Sequence, residues 1–255
     1  MSKTSNKTIR LHFARASSPR RARAKASMDV HDPQDIARAQ NELLREALGR
    51  RPPPPADEND AGENHSLAPY ARTEPRRRAI ALAAARVTSS DVVYDLGSGD
   101  GAVLIDAAER YGCACVGLEL DASLVKTSEE EAKRRGVDDL VAVRQCDLTR
   151  VRAETLARGI EDLPPPTVAY AWLTGGGLSR FSSKLREAWE VGDFRIVTCV
   201  DSLDACVDFE RDGAFAEHID RGWEVHRGKE AEFGVFVVPP KSVSLKKWAR
   251  EERAC

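Results

Sequence analysis

The segment Val92-Val93-Tyr94-Asp95-Leu96-Gly97-Ser98-Gly99-Asp100-Gly101 constrains this chain more than any other. An apolar run ends in an acid, passes through glycines at alternate positions and enters an apolar-periodic stretch at 102–111. That order is strand, tight turn, helix. Glycine takes φ > 0 without strain and lets a ligand approach the main chain closely. The helix N-terminus just beyond offers free N–H groups and a partial positive charge. The turn therefore reads as a nucleotide-type loop.

The same alternation continues downstream. Strands are expected at 92–95, 114–119, 140–144, 167–172 and 195–200, followed by two short ones at 223–226 and 233–238. Helices fall between them: 122–135, stopped by Gly136, and a segment where Leu178, Phe181, Leu185 and Trp189 recur at helical spacing. No convincing helix separates the last two strands. A helix at 74–87 precedes the first strand, with Thr73 in position to cap it. The expected architecture is α/β: a doubly wound, mainly parallel seven-stranded sheet of Rossmann-like type with an antiparallel edge strand. It carries a helical or disordered N-terminal extension.

The 255 residues suffice for one such domain with appendages. The domain is expected over 67–240, with a polar tail at 241–255. The first 28 residues hold Lys3, Lys7, Arg10, Arg15, Arg20, Arg21, Arg23 and Lys25 and no acid. The segment 1–31 thus suits either a basic disordered tail or an organellar transit peptide, and the protein a cytoplasmic or mitochondrial location. An amphipathic helix follows at 32–50, opened by Asp32-Pro33, then a proline- and acid-rich linker at 51–66.

Formal net charge is -2, so no global basic field argues for a nucleic-acid partner. No apolar run approaches the roughly 20 residues of a membrane span. The 6 cysteines and 5 histidines form no disulfide scaffold or metal pattern, and no metal is expected.

Gly97-x-Gly99-x-x-Ala102 also satisfies the dinucleotide fingerprint, so an NAD-type ligand stays open. Asp95 points elsewhere. A carboxylate at that strand end repels a pyrophosphate and attracts an ammonium group, such as that of S-adenosylmethionine. Glu119, at the end of the second strand about 20 residues on, has the place of an acid that grips ribose hydroxyls. Beyond the third strand, Asp147 can accept from an adenine amine, or instead cap the turn at Thr149. Cys146 beside it reads as a small filler, and Leu120 can cover one adenine face.

In this order, Asp95-x-Gly97-x-Gly99-x-Gly101, Glu119 and Asp147 resemble the class I S-adenosylmethionine-dependent methyltransferases. The resemblance covers roughly 67–239. A narrower one joins Pro69-Tyr70-Ala71-Arg72-Thr73, Val116-Gly117-Leu118-Glu119-Leu120 and 178–185 to the family of the ATP synthase c-subunit lysine N-methyltransferase. It implies S-adenosyl-L-methionine as cofactor and a protein lysine side chain as acceptor. It also implies cofactor contacts from Tyr70, Thr73, Asp95, Gly97, Ser98, Gly99, Gly101, Glu119, Leu120, Cys146 and Asp147, with Tyr70 and Thr73 near the methionine end.

The acceptor should enter over the loop after the fourth strand, where Trp172 and Thr174 are the candidate pocket residues. Trp172 could hold an ammonium on its face. That loop has no Asn/Asp-Pro-Pro-aromatic motif, which counts against amide or nucleobase amino nitrogens. Its Ala171-Trp172-Leu173-Thr174-Gly175-Gly176-Gly177 run departs from the narrower family's pattern. No catalytic base is identified; Asp201 and Asp204 are candidates by position alone. A small-molecule acceptor, a silent binding module and an NAD-dependent oxidoreductase are the competing readings.

Overall fold

Apolar runs from Val92 onward become the strands of the main sheet, seen in a computed structural model that describes residues 66–204 and 223–252 with two short strands between them. Five are parallel: β1 (Val92–Leu96), β2 (Ala114–Glu119), β3 (Val141–Gln145), β4 (Val168–Ala171) and β5 (Arg195–Cys199). The short strands β6 (Cys206–Asp208) and β7 (Ala216–His218) pair antiparallel with each other. Strand β8 (Val235–Val238) lies antiparallel to β5 and closes the edge. The order is β3-β2-β1-β4-β5-β8, the doubly wound, mixed sheet that the alternation of elements predicts. The expected extension 1–31, helix 32–50 and all but the last residue of the linker lie outside the described residues.

Helices cover both faces. Strand β1 shows why its sequence is apolar throughout, since all five residues are buried and alternate side chains enter different cores. Val92, Tyr94 and Leu96 pack with Leu156 of α4 (Ala153–Arg158) and with Phe181 and Leu185 of α5 (Gly175–Gly192). Val93 joins the opposite layer, formed by α1 (Pro75–Ala84), α2 (Ala102–Tyr111) and α3 (Ala122–Arg135). Each fully buried leucine in these layers contributes about 1.5–3 kcal/mol. Tyr94 keeps its hydroxyl satisfied by donating to the Pro164 carbonyl at 2.8 Å.

Four expectations change. The sheet has six strands among the described residues, not seven. The run at 223–226 makes a single bridge, His226 to Val237. Trp223 turns instead toward Trp189, with ring centroids 5.5 Å apart, and a 3-10 turn at Lys229–Phe233 takes up the chain before β8. Burial of the Trp223 indole against the half-buried Trp189 takes the place of strand pairing there.

The residues expected as a polar tail contain α6 (Leu245–Glu252). One buried anchor holds it: Trp248 is 5% exposed, with the Arg86 guanidinium 3.7 Å from its ring centroid. Helix α1 starts at Pro75 with Glu74 in the cap position and no side-chain cap. Thr73 lies one residue too early to serve, and proline at the first position, which has no N–H to satisfy, fixes the start instead. The short α4, and the β6–β7 pair, were not anticipated.

Candidate active site

Strand β1 is flanked by β2 on one side and β4 on the other. The chain therefore leaves β1 toward one edge and later returns to its other side, which opens a crevice at the carboxyl ends. A cleft of about 810 Å³, open mouth included, lies there.

The glycine turn forms its floor. Gly97, Gly99 and Gly101 have φ of 90°, 53° and 73°, the left-handed region that other residues enter only with strain. Two of them are also sterically required. A Cβ on Gly99 would lie 2.8 Å from the Tyr70 ring, and one on Gly101 would lie 1.9 Å from Ser128 Oγ. The Gly97 and Ser98 N–H groups donate to the Leu118 carbonyl at 2.8 and 3.1 Å, which ties the turn to β2.

Glu119 closes the other side. Its Oε2 accepts from the Gly99 N–H at 2.7 Å and its Oε1 from the Asp121 N–H at 2.9 Å. Both oxygens are thus aimed by backbone and retain lone pairs for a ligand. Asp95 differs. It is 3% exposed, lines the cleft, and its carboxyl accepts no hydrogen bond among the described residues. Burial, then the charges of Glu119 and Asp100, push its carboxyl well above the ordinary range. A buried carboxylate in this state favours a cation or a set of donors beside it.

Tyr70, Thr73, Ser98, Leu120, Cys146 and Asp147 also line the cleft. Tyr70 lies over the turn, its hydroxyl raised by burial and by the Asp100 carboxylate. Thr73 is held by Arg78, which donates to its carbonyl and pairs with Asp106 at 2.8 Å. Cys146 donates its N–H to the Glu119 carbonyl at 2.7 Å, and burial lifts its thiol to about 11. Asp147 also carries the alternative role weighed for it, since its Oδ1 accepts from the Thr149 N–H at 2.8 Å and hydroxyl at 2.6 Å. Lys184 fastens the same loop by donating to the Leu148 carbonyl at 3.1 Å.

Gly101 does not line the cleft; it starts α2. Trp172 does line it, whereas Thr174 does not. Thr174 caps α5, accepting from the Gly177 N–H at 3.1 Å and donating to the Leu67 carbonyl at 3.0 Å. Gly177 has a packing reason: a Cβ there would lie 1.8 Å from the Leu67 carbonyl oxygen. Asp201 and Asp204 are outside the lining, and Asp204 is paired with Arg227 at 2.5 Å.

Asp100 and Tyr170 are among the lining residues that escaped the sequence reading. Asp100 was passed over as a turn residue; it pairs with Arg72 at 2.9 Å. Tyr170 was absorbed into an apolar strand, yet it lines the cleft and its hydroxyl donates to Cys199 Sγ at 3.3 Å. Its position at the end of β4, beside Asp95 in the register, was the available signal.

No family model matches the chain. A curated protein-lysine N-methyltransferase of Saccharolobus islandicus (strain REY15A) is 33% identical over 70 residues, which are 27% of this chain and 44% of that protein. The chain thus spans less than half the length of the curated relative it matches. Among solved structures, an RNA methyltransferase from Salinibacter ruber in complex with S-adenosyl-L-homocysteine is 25% identical, with a TM-score of 0.49 over 68% of this chain and 97% of that one. A SAM-dependent methyltransferase from Thiobacillus denitrificans in complex with the same compound is 20% identical, with a TM-score of 0.41 over 62% and 53%. The strand order itself, five parallel strands and an antiparallel edge around a glycine turn, is the Rossmann-like arrangement that the sequence resemblance implied.

Proposed function

We propose that the cleft binds S-adenosyl-L-methionine and that the domain at 67–240 transfers its methyl group to a lysine side chain of a protein. The observation that carries the reading is Asp95, a carboxylate buried without a donor in a nucleotide-type cleft, with Glu119 aimed from the next strand. The ammonium of an amino-acid nucleoside would satisfy Asp95, and its ribose hydroxyls would satisfy Glu119. A dinucleotide pyrophosphate in the same place would face Asp95, Asp100 and Glu119 together. The adenine would then lie toward Leu120 and Asp147, and the methionine end toward Thr73 and Tyr170.

Bound there, the cofactor would supply a methyl group already activated by the sulfonium charge. The protein's part is alignment and exclusion of water. Tyr70 and the segment around it cover the turn, Tyr170 and Trp172 wall the far end, and the glycines keep the main chain low beneath the ligand. The acceptor amine must approach neutral, and the apolar wall at Trp172 disfavours its charged form. What supports lysine is the partial match to a protein-lysine N-methyltransferase and the resemblance of 69–73 and 178–185 to the c-subunit lysine methyltransferase family.

Calorimetry with S-adenosylmethionine, S-adenosylhomocysteine and NAD tests the cofactor. Binding of the first two and not the third is expected, with Asp95→Ala weakening it at least about tenfold. Tight NAD binding with no response to the methyl donor would overturn the reading. Labelled-methyl transfer into a lysate, read by mass spectrometry, should place the label on lysine; label on a metabolite instead would replace the acceptor class.

A further inference from the structure

A second concavity adjoins the cleft, lined by Glu74, Arg76, Arg77, Val200, Phe233 and their neighbours. Its walls come from the first turn of α1, the end of β5 and the 3-10 turn before β8. Two links join it to the cleft. Glu74 follows Thr73, and the Arg77 guanidinium lies 5.6 Å from the ring centroid of Trp172; both Thr73 and Trp172 line the cleft. Across the sheet the order β3-β2-β1-β4-β5 runs from the adenine side to the methionine side, and the concavity lies next along it.

Its arginines are prepared for an anion. Arg76 lies 4.8 Å from the ring centroid of Phe233, and Arg77 donates from Nε to the Phe233 carbonyl at 3.4 Å. Neither forms an ion pair among the described residues, although Glu74 and Glu232 line the same concavity. Stacking on aromatic faces and anchoring to backbone hold the forks without neutralising them. Val200 is also unusual: a half-exposed β-branched residue at φ 72°. Strain of this kind persists where surrounding structure enforces it, often beside a binding site. The Val200 N–H donates to the Gly234 carbonyl at 2.7 Å, which enforces it.

We infer that this groove docks the polypeptide acceptor, with Arg76 and Arg77 gripping an acidic side chain that flanks the target lysine. Glu74, which follows the cleft residue Thr73 in the chain, adds a carboxylate that attracts the lysine ammonium. The mixed charge therefore selects a segment carrying both an acid and a lysine, rather than a polyanion. The inference rests on the methyltransferase reading above.

The test uses the full chain with S-adenosylhomocysteine and two labelled peptides: a central lysine flanked by glutamates, and the same peptide with glutamines. Anisotropy should give the acidic peptide at least about tenfold tighter binding. Arg76→Gln with Arg77→Gln should abolish that preference, and the paired lysine variants should restore part of it. Equal affinity for the two peptides, binding of neither, or a preference that survives in the glutamine variant overturns the inference. So does tighter, arginine-dependent binding of a single-stranded RNA oligonucleotide, which would reassign the groove to phosphate. Calorimetric binding of S-adenosylmethionine by the same samples separates the two levels. Without it the methyltransferase reading fails; with it and no acid preference, only the groove assignment fails.

Discussion

The β1–β3 half of the cleft and the β4–β5 half are built differently. In the first half, backbone sets the chemistry: the glycine turn and Glu119 lock each other through the Gly99 N–H, and Asp121 N–H fixes the second oxygen. In the second half, distant segments meet: Trp172, Arg77 and Phe233 come from the loop after β4, α1 and the 3-10 turn. The first half is rigid because each part is a near neighbour in the chain or in the strand register. The second half is specific to this molecule because its parts are not. A shared cofactor suits the first construction, and an individual acceptor suits the second.

The largest way to break this contrast is Gly101→Val. A side chain there meets Ser128 Oγ and forces an L residue to φ 73°, so at least about 3 kcal/mol of stability should be lost. A urea titration matching the parent would mean that the turn is not rigid. Leu185→Ala in α5, fully buried, should cost about 2–5 kcal/mol; a smaller loss would indicate that the α4–α5 layer collapses around the gap.

Glu119→Gln should weaken cofactor binding by about 10- to 100-fold, the range of a lost charged hydrogen bond, while adenine alone binds unchanged. Equal weakening for adenine would show that the variant disturbs the turn rather than a ribose contact.

Asp95 offers a pH test. Its carboxyl is raised by burial and by Glu119 and Asp100, so the folded state holds a proton that the unfolded chain has already released. Its favourable contribution is present below the ordinary carboxylate range and is lost as pH rises toward the raised value. Asp95→Asn should therefore melt higher than the parent at neutral pH, with the difference vanishing in acid, although it binds cofactor more weakly. A lower melting temperature at neutral pH would mean that the carboxylate has a stabilising partner. The smallest effect is expected from Val200→Gly, which should stabilise by about 1 kcal/mol through relief of the left-handed φ. A loss would show that Val200 packs productively in the groove.

The first half was legible in advance because its signals are local. Asp95, the three glycines and Glu119 lie at strand ends whose apolar runs identify themselves. Gly136 marked a helix end for the same reason. Asp147 carried two readings, and its turn with Thr149 satisfies the local one without removing it from the cleft. Thr174 misled because a hydroxyl next to a loop is equally suited to capping, and the deciding partner, the Leu67 carbonyl, is far away in sequence. Tyr170 and α6 were hidden for a related reason: one aromatic in a strand or in a charged segment has no periodicity to announce it.

By itself, then, the sequence determined the alternation of strands and helices, the position of the crevice and the carboxylates facing it, because hydrophobic period and glycine conformation act over a few residues. Only the tertiary structure decided that the sheet stops at six described strands, that Trp248 anchors a final helix, and that Arg77 reaches both the Trp172 ring and the Phe233 carbonyl. Those outcomes depend on which distant surfaces exclude water together, and no local pattern encodes that choice.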